Sequence, residues 1–259
     1  MSINGTVYLI GAGPGDPDLM TVKGLNILRR ADAVLYDALI NPVLLQEIPL
    51  SSQLINVGKR KGLHSMKQEE INQQLIDLAG TCQTVVRLKG GDPFIFGRGG
   101  EEMLALRQAG VRVEVVPGVS SINGALAYAG VPLTHRNMAA NFAVVTGHRA
   151  REVDEQSYWQ GLAQLDTLII VMGLTQLHDI TKHLLTARKS PDTPALAIHW
   201  GTLPEQEVVT ATLATLTQRV AEVQLQAPAI IVIGEVVSLA EALRWFPGIY
   251  HEGQLGIRN

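Results

Sequence analysis

The 259-residue sequence predicts an α/β protein built as two α/β domains with mainly parallel sheets and a ligand cleft between them. Three observations lead there. Short β-branched runs of strand length recur along the whole chain, amphipathic stretches of helical period separate them, and most of the runs end in glycine. Alternation of strand and helix favours parallel pairing with helices on the sheet faces.

Five runs fall in the first half: TVYLI, ADAVLYD, QLINVG, TVVRLKGG and VRVEVVPG. Four fall in the second: NFAVVTGH, TLIIVMGL, PALAIHWG and PAIIVIGE. Between them lie helical stretches such as EEINQQLIDLAG and EEMLALRQAG, whose closing Gly80 and Gly110 are read as residues just past a helix end. Pro117 and Gly118 in VVPGVSS break the pattern. The expected domains are therefore 1–117 and 118–246, followed by an aperiodic tail, 247–259.

Glycines at strand ends (Gly11, Gly58, Gly90, Gly118, Gly147, Gly173, Gly201 and Gly234) mark where a ligand approaches backbone closely, since parallel sheets bind at the carboxyl ends of their strands. The first such loop, GAGPGDPDLMT, begins like a dinucleotide fingerprint. Its third required glycine is replaced by Asp16, and Pro14 removes an N–H that would face a pyrophosphate. A nicotinamide oxidoreductase is disfavoured on those grounds. A serine hydrolase at Ser120 fails because its elbow needs glycine where Ile122 stands.

Composition narrows the classes further. A formal net charge of −3 gives nucleic-acid binding no support. Cys82 is the single cysteine, which excludes an intrachain disulfide and a multi-cysteine zinc site and favours a reducing compartment. No metal is expected. No basic segment followed by an apolar core opens the chain, and no apolar run approaches the ~20 residues of a membrane span. A cytoplasmic protein is the expectation, with no membrane or nucleic-acid partner.

The second glycine cluster is VVRLKGGDPFIFGRGGEE, residues 85–102. Taken with GAGPGDPDLMT, VLYDALI, VGKRKG, VVPGVSS, GVPLTHR, VTGH and MGL, in that order, it resembles the tetrapyrrole methylase family. Within that family, VGKR together with KGGDPFIFGRGGEE is similar to the uroporphyrinogen-III C-methyltransferases. The resemblance covers about residues 7–246.

What the resemblance implies is specific. The fold would be two α/β domains, usually in a homodimer, and the cofactor S-adenosylmethionine. Matched motif by motif, its contacts would come from Pro14, Gly90, Gly91, Asp92, Ile95, Ser120, Ser121 and Met172, with Gly201 and Ala229 on shorter matches. Asp37 would be a general base and Lys59 an acid, against the plain readings of a turn cap and a solvated basic run. The implied substrate is uroporphyrinogen III, with eight carboxylates, methylated twice to precorrin-2. Arg60, Arg98, His135 and Arg136 are the candidate substrate contacts among a wider basic set that includes Lys61, His148 and Arg149. Because no dehydrogenase–ferrochelatase module precedes the methylase motifs in this sequence, precorrin-2 is the expected product, destined for sirohaem or cobalamin. Sister methylases of later precorrins, an RNA or protein methylase, and a non-catalytic binding module are the rivals.

Overall fold

The computed structural model describes residues 5–58, 66–148 and 154–253. The chain divides into two compact units, Met1–Ser120 and Ser121–Asn259.

The first unit runs β1 (Thr6–Gly11), α1 (Val22–Leu28), β2 (Ala33–Tyr36), α2 (Pro42–Leu45), β3 (Gln53–Asn56), α3 (Gln68–Thr81), β4 (Thr84–Lys89), α4 (Gly99–Gln108) and β5 (Arg112–Val116). Its five strands stand in the order β3-β2-β4-β1-β5, and every pairing is parallel. All carboxyl ends therefore share one edge. The inner strands β1 and β2 are largely apolar on both faces because helices cover both. Ile10, Val34, Val86 and Leu88 pack with Ile27 and Leu28 of α1, whereas Val7, Leu9, Leu35 and Val85 pack with Ile71 and Leu75 of α3 and Leu106 of α4.

In the second unit, α5 (Ser121–Tyr128) leads to β6 (Phe142–Thr146), α6 (Glu155–Ala163), β7 (Thr167–Val171), α7 (Leu177–Thr186) and β8 (Pro194–His199). There follow β9 (Glu207–Thr212), α8 (Leu216–Glu222), β10 (Ala229–Ile233) and β11 (Ile249–His251). The order is β11-β9-β8-β10-β7-β6. Here the expectation of parallel pairing holds only at β6–β7 and β9–β11; β8–β9, β8–β10 and β7–β10 are antiparallel. The cause is partly chain length: only residues 200–206 join β8 to β9, too few for a parallel crossover.

All nine runs read from the sequence contain strands, and two more strands appear. β9 (EVVTAT) carries threonines and closes without glycine, and β11 lies inside the segment read as an aperiodic tail, where it pairs with β9. Gly110 follows α4 with φ 75°, as a helix-ending glycine should. Gly80 does not: α3 continues through it to Thr81, and the Cys82 N–H donates to the Leu78 carbonyl at 2.8 Å. Antiparallel β10 also moves Gly234 to the opposite edge of its sheet, beside the start of β8, where its N–H donates to the Pro194 carbonyl. It is removed from the set of ligand-edge glycines, and Ala229, at the start of β10, takes its place on the edge that carries the ends of β7 and β8.

Candidate active site

At the carboxyl edge of the first sheet three chain segments meet backbone to backbone. A Cβ placed on Gly118 would lie 2.3 Å from the Gly91 carbonyl oxygen and 2.7 Å from the Gly11 Cα. One placed on Gly11 would lie 2.5 Å from the same oxygen. No side chain fits at either position. Gly13 and Gly91 are bonded in both directions, at 3.3 and 2.7 Å, and both have positive φ, 84° and 65°. Gly90 is open, with only the Leu39 Cβ at 4.0 Å from where its own Cβ would stand. Pro14 sits half-buried in the loop between Gly13 and Gly15, and the Asn41 side-chain amide anchors that loop by donating to the Gly15 carbonyl at 2.8 Å.

Asp16, the residue that broke the dinucleotide fingerprint, caps the short 3-10 turn Pro17–Leu19 by accepting from the Asp18 N–H. The first α-helix begins only at Val22, so no helix N-terminus directly follows the glycines, and a pyrophosphate seat is missing from this loop.

Asp92 spends both carboxylate oxygens on backbone: Oδ1 accepts from the Phe94 N–H at 2.8 Å and Oδ2 from the Gly118 N–H at 3.0 Å. It ties the loop after β4 to the end of β5. The loop then exposes three apolar side chains, Phe94, Ile95 and Phe96, beside the glycines. Open backbone next to apolar surface suits a flat heterocycle with polar substituents. The residues present fit an adenosyl group.

Asp37 stands one residue past β2, two-thirds shielded, between the ends of β3 and β4. Gly58, at the end of the described stretch after β3, packs on Ala38, where a Cβ would meet the Ala38 N at 2.1 Å. Lys59, Arg60 and Lys61 lie outside the described residues, as does Arg149.

Behind Asp37 lies a group of charges that the sequence reading did not single out. On β4 the alternate residues Val85, Arg87 and Lys89 point toward α3 and α4, as period-2 geometry requires. Arg87, only 3 % exposed, donates from Nη2 to Asp37 Oδ1 at 2.5 Å and from Nε to Glu102 Oε1 at 3.0 Å. Lys89 Nζ reaches the same Glu102 oxygen at 3.0 Å, and Gln68 Nε2 donates to it at 3.3 Å. Glu102 is fully buried in α4, and its Oε2 has no hydrogen-bond partner among the described residues. Burial, reinforced by the Arg87 charge, holds the Lys89 ammonium below the usual lysine pKa, against the opposing pull of Glu102 and Asp37. The sequence signal was present: two cations at alternate positions in a strand buried on both faces must find anions.

Arg98 takes a left-handed conformation, φ 58°, at the start of α4 and pairs with Glu101 at 2.6 Å on the surface. That hydrogen bond raises its pKa further. Exposed pairs of this kind contribute about 0–1 kcal/mol.

In the second unit the ends of β6, β7 and β8 and the start of β10 lie on one edge. Gly147 meets Gly173 there, with 2.4 Å from a Gly147 Cβ to the Gly173 Cα. Met172 is half exposed with φ 53°, so it is not an ordinary core methionine. Gly201 packs on Ala125 of α5, flanked by Trp200 and Thr202, both at positive φ. Gln206, fully buried, accepts from the Thr202 N–H and donates to the Tyr128 carbonyl, fixing that turn. Such conformations in non-glycine residues are costly and cluster at functional positions. Ala229 pairs with His199 and follows the cis Ala227–Pro228 bond.

Ser120 is buried and closes the first unit; Ser121 opens α5 in the second. His135 is used in a tight turn, its backbone exchanging bonds with Ala139 and its Nδ1 accepting from the Asn137 N–H. Arg136 beside it is exposed. Among the described residues no group of three or more His, Cys, Asp or Glu is placed to hold a metal, and no helix is long and apolar enough to cross a membrane.

A parallel sheet with a glycine-built edge and a carboxylate backed by buried charge defines an α/β protein with a candidate small-molecule site at its strand ends. The chain belongs to the family Tetrapyrrole (Corrin/Porphyrin) Methylases, whose sequence pattern matches residues 6–217. It is 46% identical over 243 residues to a uroporphyrinogen-III C-methyltransferase of Bacillus subtilis (strain 168), covering 93% of this chain and 95% of that protein. A siroheme synthase 2 of Halorhodospira halophila is 48% identical over 242 residues, covering 93% of this chain and 49% of the relative. The chain thus spans about half the length of the siroheme synthases it matches. Among solved structures, uroporphyrin-III C-methyl transferase from Thermus thermophilus complexed with S-adenyl homocysteine aligns with TM-score 0.78 and 42% identity, over 90% of this chain and 99% of that one.

Proposed function

We propose that this chain is an S-adenosylmethionine-dependent C-methyltransferase that converts uroporphyrinogen III to precorrin-2 by two successive methyl transfers to ring carbons, C2 and C7. The observation that carries the reading is Asp37, a carboxylate held at the glycine-built edge by a buried arginine. The relative from Bacillus subtilis matched along nearly its whole length, and the Thermus structure complexed with S-adenyl homocysteine, support the same chemistry.

S-adenosylmethionine, when bound, supplies an electrophilic methyl group, which a ring carbon accepts as the sulfur–methyl bond breaks. The protein's residues then have two tasks. The backbone around Gly90 and Gly91, the apolar Ile95 and the half-exposed Met172 hold and orient the adenosyl group, together with Pro14, Ser120, Ser121, Gly201 and Ala229. Asp92 keeps the loop in shape. Asp37 accepts the proton that the alkylated, cationic ring must lose, and Lys59 returns a proton or binds a carboxylate. Arg60, Arg98, His135 and Arg136 serve the substrate's eight carboxylates. We assign the protein to the cytoplasm and infer a homodimer; light scattering of the purified chain checks the oligomeric state.

Replacing Asp37 with alanine is expected to cut turnover by roughly 10²–10⁴ while S-adenosylhomocysteine affinity stays within about twofold. Wild-type turnover in that variant retires the base.

A further inference from the structure

We infer that Arg87 is a positioning residue for the methyl transfer: anchored by the buried Glu102, its guanidinium holds the Asp37 carboxylate in the orientation that receives the proton. The inference rests on the assignment of Asp37 as the base.

The geometry points one way along the chain of charges. Glu102 is fully buried near the start of α4, where the helix dipole favours a negative charge. It grips Arg87 at Nε, and a third bond, from Nη1 to the Leu88 carbonyl at 3.3 Å, fixes the guanidinium plane. Nη2 ends on Asp37 Oδ1. The planar fork is therefore rigid on its inner side and presents one donor to the partly exposed carboxylate. Asp37 Oδ2 makes no hydrogen bond among the described residues, which leaves one oxygen held and one unheld on a side chain that is one-third exposed.

Glu102 already neutralises one buried cation, and Lys89 shares the same oxygen. Extending the network to a carboxylate that is one-third exposed costs side-chain freedom at Asp37. What it supplies is a fixed oxygen position, and displacements of about 1 Å in reacting groups cost on the order of 10²-fold in rate.

Lysine cannot reproduce the arrangement, because one ammonium cannot bridge Glu102 and Asp37 in a plane. The test is a double-mutant cycle read in kcat, with Arg87→Lys and Asp37→Asn singly and together. Arg87→Lys is expected to lower kcat by roughly 10²-fold with the KM for S-adenosylmethionine unchanged. In the Asp37→Asn background the same change should cost less than about twofold, since there is no base left to misplace. Where Arg87→Lys does not fold, Glu102→Gln enters the same cycle; it keeps the side-chain shape and loosens the anchor, and its smaller loss, about tenfold, should likewise vanish without Asp37. An equal loss in both backgrounds, or no loss at all, overturns the positioning role and leaves the base in place. Wild-type kcat in Asp37→Asn alone overturns the base and the positioning role together.

Discussion

Arg87 and Asp37, fifty positions apart in sequence, meet at 2.5 Å where β2 and β4 end side by side. Tyr36 is registered with Leu88, so the residue after β2 falls next to Lys89 and diagonally across from Arg87. Parallel pairing thus brings the candidate base onto a strand whose alternate side chains are buried cations.

Glu102 pairs with both buried cations, Arg87 and Lys89, and its loss should be felt throughout the unit. Replacing it with alanine leaves Arg87 and Lys89 buried without their shared anion, which costs about 3–5 kcal/mol. Urea unfolding followed by circular dichroism measures it. A loss below about 1 kcal/mol would mean that water enters and solvates the cations.

The crossing of Gly11, Gly91 and Gly118 allows a sharper test of the binding edge. Gly118→Ala places a methyl group 2.3 Å from a carbonyl oxygen that belongs to rigid backbone. The change is expected to destabilise the chain by about 1–3 kcal/mol or more and to abolish S-adenosylhomocysteine binding by calorimetry. Normal binding in a folded Gly118→Ala protein would place the cofactor elsewhere.

Met172 is predicted to separate stability from binding. A left-handed backbone costs a side-chain-bearing residue about 1–2 kcal/mol, so Met172→Gly should hold or gain up to about 1 kcal/mol of stability. The same variant should bind S-adenosylhomocysteine about tenfold more weakly, having lost the exposed thioether arm. Unchanged affinity would make Met172 a turn residue only.

Gly80 has the opposite character. It lies inside α3, exposed, with nothing within 4 Å of where a Cβ would stand. Gly80→Ala should stabilise the protein by about 0.5–1 kcal/mol with activity intact. A loss of stability would show that the helix ends before it.

Much of this was legible in the sequence, for reasons that differ by residue. The nine strand runs could be read because β-branched clusters closing on glycine are a local signal. Gly11, Gly90, Gly91 and Gly118 could be placed on one edge because parallel strands share their carboxyl ends. Gly234 was misplaced by the same reasoning, since strand direction in the second sheet depends on pairings that no local pattern records. Gly80 misled because a glycine near a helix end and one past it look alike in sequence. The Asp37–Arg87–Glu102–Lys89 network required register between β2 and β4 and the docking of α4, both tertiary facts. The alternate cations in VVRLK were its only local trace.

Double methylation of uroporphyrinogen III is tested by anaerobic incubation of the purified protein with S-adenosylmethionine and uroporphyrinogen III, followed by mass spectrometry of the tetrapyrrole. A gain of two methyl groups is expected, with S-adenosylhomocysteine released in matching amount. An unmethylated tetrapyrrole, from protein that binds S-adenosylhomocysteine, would contradict it and point to a different tetrapyrrole as substrate.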